Sequence, residues 1–467
     1  MLFDDSEFGF FSEAERKARR AFELYEDGKM PQALNELETA LELNPANSSW
    51  HFNKALTLDS INRFDDAISE YEIALEIAPN DPEILNSLAI DYTRTGQYDL
   101  AIEAFELIQQ LCPSFEPCYC NRIITYTEMG LHDLAEQMFY LAQQLDSDCA
   151  LCFYNIGNSF FVRGEYERAV HCWLRTAELE PTHPQIDYRI AQGYWAQGQS
   201  ECAREHFLRE LRISPGDVDV ILDFGLFLLE ADDIESAREK FNRILELTPD
   251  SAVALFYLGE IAFGQGDYEH AVPLYDQALQ QDNILMGPHY RLGQYALMTG
   301  QQDYAREYLA TELQLAPTDG DVLVSMGSMF LALGDVHSAK NCLLKAVDID
   351  SAKADAYYYL GLAGVVQGNW EDAAAFYGNV LDINPDDVRT LRDSALVCLA
   401  TGKLSQASDR ISKAKTVAGD ADSALDAVVR KVRLARAIEQ TGDLLGRYCP
   451  RFIRRLVQRI GSRGRPR

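Results

Sequence analysis

Twelve alanines stand 34 residues apart, from Ala33, Ala67, Ala101 and Ala135 through Ala169, Ala203, Ala237 and Ala271 to Ala305, Ala339, Ala373 and Ala407. Alanine makes up roughly a tenth of an ordinary sequence, so such a series is not coincidence. No insertion or deletion interrupts it. A chain constrained in this way is a tandem array: one supersecondary unit is copied, and each copy buries its apolar face against the next.

Further positions keep the same step, each for a steric reason. A small residue recurs at Ala21, Ala55, Ala89, Gly157, Ala191, Gly225, Gly259, Gly293, Gly327, Gly361 and Ala395, as close helix crossing requires, and only Ile123 departs. The turn slot holds Gly28, Asn62, Gly96, Gly130, Gly164, Gly198, Asp232, Gly266, Gly300, Gly334, Gly368 and Gly402, the residue types that best tolerate φ > 0. Pro45, Pro79, Pro113, Pro181, Pro215, Pro249, Pro317 and Pro385 mark where a helix must stop. The large residues Tyr71, Phe105, Phe139, Trp173, Phe207, Phe241, Tyr275, Leu309, Leu343 and Tyr377 read as core packing.

One unit that carries Leu360-Gly361, Gly368, Trp370, Ala373, Tyr377 and Pro385 at this period resembles the tetratricopeptide repeat. The resemblance implies an all-α fold, a right-handed solenoid of helix-turn-helix units, with twelve repeats over residues 14–421. On this reading residues 1–13 cap the first repeat, 422–440 form a capping helix, and 441–467 are a basic amphipathic or disordered tail. The end repeats are the least regular. Lys17 and Arg20 replace apolar residues in the first, and Ser394 replaces leucine in the last.

The net charge of -31 is unevenly placed. Residues 422–467 hold 12 Lys plus Arg against 4 Asp plus Glu, which leaves 30 against 69 for the rest. So acidic an array repels phosphate, which argues against nucleic acid on the repeats and favours a basic or amphipathic protein or peptide partner. In the tail, Phe452, Ile453, Leu456, Val457 and Ile460 recur at helical spacing, with Arg451, Arg454, Arg455 and Arg459 on the other side. Such a segment suits an anionic membrane surface, a partner's groove, RNA, or the acidic array of its own chain.

The ten cysteines sit in a long chain with a repeat-built core, and acids occupy the N-terminus, so reduced thiols and a cytoplasmic setting are expected. Seven of them lie between Cys112 and Cys202, including the CxxC pair Cys149 and Cys152. Cys118 and Cys152 hold equivalent slots one repeat apart, which makes a four-ligand metal centre awkward. His171, Cys172, Cys202 and His206 are a second weak grouping. No catalytic motif is present, and neither an enzyme activity, a cofactor nor a metal is expected.

The resemblance also implies that first helices line a concave groove, with the second, fifth, ninth and twelfth residues of each repeat pointing into it. Here those positions supply Tyr154, Asn158, Phe161, Tyr188, Gln192 and Trp195 in two adjacent repeats, and Phe256, Tyr290 and Tyr358 further on. Rings give contact area at low entropy cost, so these residues are the expected anchors for a peptide or helical segment. The alternative for each ring is packing between neighbouring first helices. Carboxylate-clamp members of the family need lysine at the fifth position, and no repeat here has one. The expected function is therefore a non-enzymatic interaction scaffold; the alternative is a membrane-peripheral assembly factor or co-chaperone anchored by its tail.

Overall fold

The computed structural model describes residues 13–418 and 423–442, and all 25 of its elements are helices, with no strand among the described residues. They belong to two compact units, Met1–Ala237 and Arg238–Arg467. In chain order the helices are α1 (Glu13–Glu26), α2 (Met30–Leu43), α3 (Ser48–Asp59), α4 (Phe64–Ile77), α5 (Pro82–Arg94), α6 (Tyr98–Leu111), α7 (Glu116–Glu128), α8 (His132–Leu145), α9 (Ala150–Val162), α10 (Tyr166–Leu179), α11 (Ile186–Ala196), α12 (Ser200–Ile213), α13 (Val218–Glu230) and α14 (Ile234–Leu247). They continue with α15 (Ala252–Gly264), α16 (Tyr268–Gln281), α17 (Pro288–Met298), α18 (Gln302–Gln314), α19 (Gly320–Ala332), α20 (Val336–Ile349), α21 (Ala354–Gln367), α22 (Trp370–Ile383), α23 (Val388–Ala400), α24 (Leu404–Ala418) and α25 (Ser423–Gly442). The even-numbered helices from Met30 to Leu404 begin 34 residues apart, the period of the alanines.

Within each unit successive helices pack as antiparallel pairs, and each pair stacks on the next. All twelve periodic alanines expose none of their surface. They let the second helix of a pair lie close to the first. The small residue on the first helix works against a large one on the second. A Cβ added at Gly157 would stand 2.6 Å from the Trp173 ring, and one at Gly361 would stand 2.5 Å from the Tyr377 ring. Trp173 and Tyr377 are themselves fully buried, so neither ring has room to withdraw.

The turn expectation is met at every position: the ten glycines and Asn62 and Asp232 all have positive φ. Ser, Asp or Asn commonly starts the first helix of a pair. Asp81 accepts from Glu83 N and Ile84 N, and Asp217 accepts from Asp219 N and Val220 N. Two first helices begin late. Both α11 and α17 have 11 residues and follow residues at positive φ, Gln185 and Gly287. There the partner helix supplies the acceptor. Glu210 on α12 accepts from Tyr188 N at 3.3 Å, and Glu312 on α18 accepts from Gly287 N at 2.7 Å and Tyr290 N at 3.0 Å. Both glutamates are nearly fully buried, at 3% and 1% exposure. Their carboxyls are pushed up by burial and drawn partly back by the backbone donors.

At the end of the second unit, α25 lays Leu425, Val428, Val429 and Val432 on Leu391, Cys398, Leu399 and Ile411 of α23 and α24. Leu434 points away and is exposed. The N-terminal cap segment and the tail with Arg451, Arg454, Arg455 and Arg459 lie outside the described residues.

Gly361→Ala should destabilise the second unit by about 1–3 kcal/mol through overpacking against Tyr377. Thermal unfolding followed by circular dichroism checks this. An unchanged midpoint would show that the helix pair can open to admit a methyl group.

Candidate functional site

The six residues expected in two adjacent repeats form one connected face in the first unit. Tyr154, Asn158 and Phe161 are on α9, Tyr188, Gln192 and Trp195 on α11, and all six are half-buried. Hydrogen bonds run from helix to helix at a sequence interval of one repeat plus one residue. Arg189 Nε donates to Tyr154 Oη at 3.4 Å, Tyr188 Oη to Asp223 Oδ2 at 2.7 Å, and Trp195 Nε1 to Glu230 Oε2 at 2.6 Å. Gln192 ties the ladder together, accepting from Arg189 Nη1 at 3.2 Å and donating to Asp223 Oδ2 at 2.8 Å.

Each ring keeps one side against the protein. Trp195 packs edge-on to Phe207 and Phe227, Phe161 lies 5.5 Å from Trp173, and Tyr154 lies 4.4 Å from the His183 ring. Burial and the Asp223 carboxylate raise the Tyr188 hydroxyl above the ordinary tyrosine range, so it remains a donor. Asn158 has a structural duty as well, since its Oδ1 accepts from Trp173 Nε1 at 3.2 Å.

The second unit repeats the arrangement three repeats on. Phe256, Phe263, Tyr290, Arg291 and Gln294 stand where the first unit has Tyr154, Phe161, Tyr188, Arg189 and Gln192. One exchange alters the electrostatics. Glu260 replaces Asn158, accepts from Tyr275 Oη at 2.7 Å, and grips Arg291 through Nε at 2.8 Å and Nη2 at 2.6 Å. Arg291 is thereby neutralised between the Phe263 and Tyr290 rings. Among the described residues Arg189 reaches only the neutral Tyr154 hydroxyl and Gln192 amide. Arg189, which was not among the expected anchors, is thus the distinguishing charge of the first face. The recurrence of Tyr-Arg at 188–189 and 290–291 is the sequence signal that could have found it.

Tyr358 differs from the other anchors. It is buried at 7% exposure, its hydroxyl donates to Asp393 at 2.8 Å, and Arg389 covers its ring at 3.9 Å. Little of that ring is left to meet a partner.

The chain matches the sequence model described as tetratricopeptide repeat at residues 18–82, 60–114, 154–218, 222–283 and 325–388, together more than half its length. It belongs to the tetratricopeptide repeat family. No curated protein matches the sequence. Among solved structures, the array is similar to the APC/C hetero-tetramer Cut9-Hcn1, with 14% identity over 90% of this chain and 96% of that one and a TM-score of 0.43. Yeast Tom70 gives 13% identity over 92% and 96% of the two chains, with a TM-score of 0.40. A thermophilic TPR protein of Thermus thermophilus gives 22% identity over 39% and 99%, with a TM-score of 0.37. No described helix of the array is long and apolar enough to cross a membrane.

Two titratable clusters lie elsewhere in the tetratricopeptide array. Asp91 on α5 is fully buried, and its carboxyl is pushed up to about 7 by desolvation and by Asp59, against the pull of Arg94. Arg94 binds both acids. The site has no exposed atom of Asp91 for a ligand to touch, so its effect falls on stability.

The second cluster joins α7 to the start of α9. Cys120 and Cys152 are joined by a disulfide with Cα atoms 5.0 Å apart, which departs from the expectation of free thiols. The reason is geometric: adjacent first helices carry these two residues to one point. Cys149 Sγ lies 3.4 Å from Cys120 Sγ, and Glu116 Oε1 lies 2.6 Å from Cys120 Sγ and 3.1 Å from Cys152 Sγ. Cys118, the expected neighbour, instead donates to Phe105 O at 3.3 Å. The other grouping is not assembled as a metal centre: His206 is bound to Asp187 at 2.6 Å.

The raised Asp91 carboxyl sets a pH dependence. The native state keeps this proton up to about pH 7, whereas the unfolded chain releases it near pH 4, so the native state binds more protons between those values and stability falls as pH rises through that window. Asp91→Asn should therefore raise the unfolding midpoint at pH 8 by about 2–4 °C and have little effect at pH 4. A gain of equal size at both pH values would refute this cause.

Proposed function

We propose that the chain is a non-enzymatic interaction scaffold that holds an extended or helical segment of another protein against the first helices α9, α11 and α13. The observation that carries this reading is the connected face of half-buried rings around Arg189, a cation with neutral partners in an otherwise acidic array. Membership of a repeat family built for protein contacts supports the same class of function.

The face favours a particular segment. Apolar side chains lie on Tyr154, Phe161 and Trp195, basic groups meet Asp219, Asp223 and Glu230, and one carboxylate or carbonyl meets Arg189. Rings of this kind are common hot spots because they are rigid and partly desolvated before binding. The net negative charge speeds encounter with a basic partner, while the single Arg189 contact fixes its register.

Asn158→Glu copies into the first unit the residue that neutralises Arg291 in the second. It should weaken capture of the partner by about 10-fold while helicity stays unchanged. Trp195→Ala should weaken capture to a similar extent. Pull-down from cell extract followed by anisotropy on the isolated partner measures both. Undiminished binding by both variants would remove this face from the reading.

A second reading rests on the amphipathic run of the tail. There the array recruits a client while Arg451, Arg454, Arg455 and Arg459 hold anionic lipid. Flotation with phosphatidylserine-containing liposomes should then carry the full chain upward and leave behind a chain ending at residue 446. Equal flotation of the two chains would sink the membrane idea.

A further inference from the structure

Four potential ligand atoms, from Glu116, Cys120, Cys149 and Cys152, lie within 4.8 Å of one another at the junction of α7 and α9. Glu116 and Cys120 share one face of α7, one helical turn apart. Cys149 is the N-cap of α9, and its sulfur accepts from Cys152 N at 3.3 Å. Two of the sulfurs are buried, Cys120 at 0% and Cys152 at 1% exposure. We propose that this cluster is a tetrahedral Zn²⁺ site, with three thiolates and the Glu116 carboxylate as ligands, that clamps two adjacent repeats together.

The donor set fits that ion. Three soft thiolates and one carboxylate oxygen suit a borderline ion and reach the number of ligands a closed zinc site uses. Zn–S bonds of about 2.3 Å put tetrahedral sulfurs about 3.8 Å apart; Cys149 Sγ stands 3.4 Å from Cys120 Sγ, and Cys120 and Cys152 must part from their disulfide to reach that separation. The CxxC turn at a helix start also provides N–H···S contacts and the positive end of a helix dipole, and Glu116 begins α7 in the same way. Both help to carry the net negative charge of a Cys₃Glu centre. Glu116 Oε1 approaches both bonded sulfurs, and its carboxylate also accepts from the Cys149 thiol, so one carboxylate already faces all three sulfurs.

Disulfide and metal exclude each other, since both need Cys120 and Cys152. Two equivalents of a thiol reductant break the Cys120–Cys152 bond, supply two electrons and two protons, and leave as their own disulfide. Zinc then displaces the protons of the three thiols, and Glu116 binds as its carboxylate. The cluster thus has an oxidised, metal-free state and a reduced, zinc-bound state.

The test uses the full chain, reduced with a phosphine under argon, mixed with zinc chloride and desalted before metal analysis. One zinc per chain is expected. Cobalt in its place should give a sulfur-to-metal charge-transfer band and intense tetrahedral d–d bands. Cys118→Ser should retain the metal, because Cys118 faces Phe105 O. Cys149→Ser should lose it, and Glu116→Gln should weaken it by about 10-fold and alter the cobalt d–d bands while circular dichroism stays unchanged. Oxidised chain carrying the Cys120–Cys152 bond should take up none. Absence of stoichiometric zinc from the reduced chain, or equal loss in Cys118→Ser and Cys149→Ser, would overturn the proposal and leave a structural disulfide.

Discussion

The pairing of a small residue with a large one across every helix crossing but that of Ile123 is the contact on which the rest depends. An alanine or glycine on the first helix faces a ring or leucine on the second, and a fully buried alanine beside that ring lets the two backbones approach. Interiors pack at crystal-like density, so this fit tolerates neither an added methyl group nor a missing one without cost. It is also local. Each pair satisfies it with its own residues and its immediate neighbours, so the unit can be copied without a central core. The ends of such an array need special treatment, and α25 covers the last described pair with four buried aliphatic side chains.

What the sequence made legible follows from this locality. Residues that must be small, must turn, or must stop a helix have few chemical substitutes, so their identity survives as a period. Helix starts, the alanine row and all twelve turn conformations were readable for that reason. The caps by Glu210 and Glu312 were not. Nothing in the local sequence of α11 or α17 says that its first free N–H groups are served by a carboxylate on the partner helix more than 20 residues later. Burying a glutamate is costly unless its oxygens are occupied, and here two late-starting helices supply the donors. A buried acid on the second helix and a late start on the first are one device seen twice, 102 residues apart by numbering.

The candidate face was legible as a set of positions but not as a set of commitments. The family resemblance indicated which residues point inward. It could not say that Tyr188, Trp195 and Tyr358 already spend their polar groups on Asp223, Glu230 and Asp393 of the following repeat. Those bonds orient the rings and leave their faces as the part free to act, except at Tyr358, which is buried. The sulfur cluster escaped for a similar reason. Strict equivalence matched Cys118 with Cys152, whereas the residue that meets Cys152 is Cys120, half a helical turn further along α7. A period of 34 identifies copies of a position; contact between copies depends on the direction of each side chain.

Asn158 and Glu260 hold equivalent positions in the two units. Both residues accept a hydrogen bond from the large ring of their own repeat, Trp173 in one case and Tyr275 in the other, so either serves the packing rule. They differ in charge and by one methylene of reach. In the second unit the carboxylate also holds Arg291, and the ion pair is closed on itself. In the first unit the amide leaves Arg189 with neutral partners. A guanidinium half-buried among rings loses part of its hydration and regains it best from a planar carboxylate presented at the right angle. Arg189 thus differs from Arg291 in being held by neutral groups where its counterpart is held by a carboxylate. A single residue exchange therefore changes the electrostatics of the face while the hydrogen bond to the large ring, and with it the packing of the repeat, is kept.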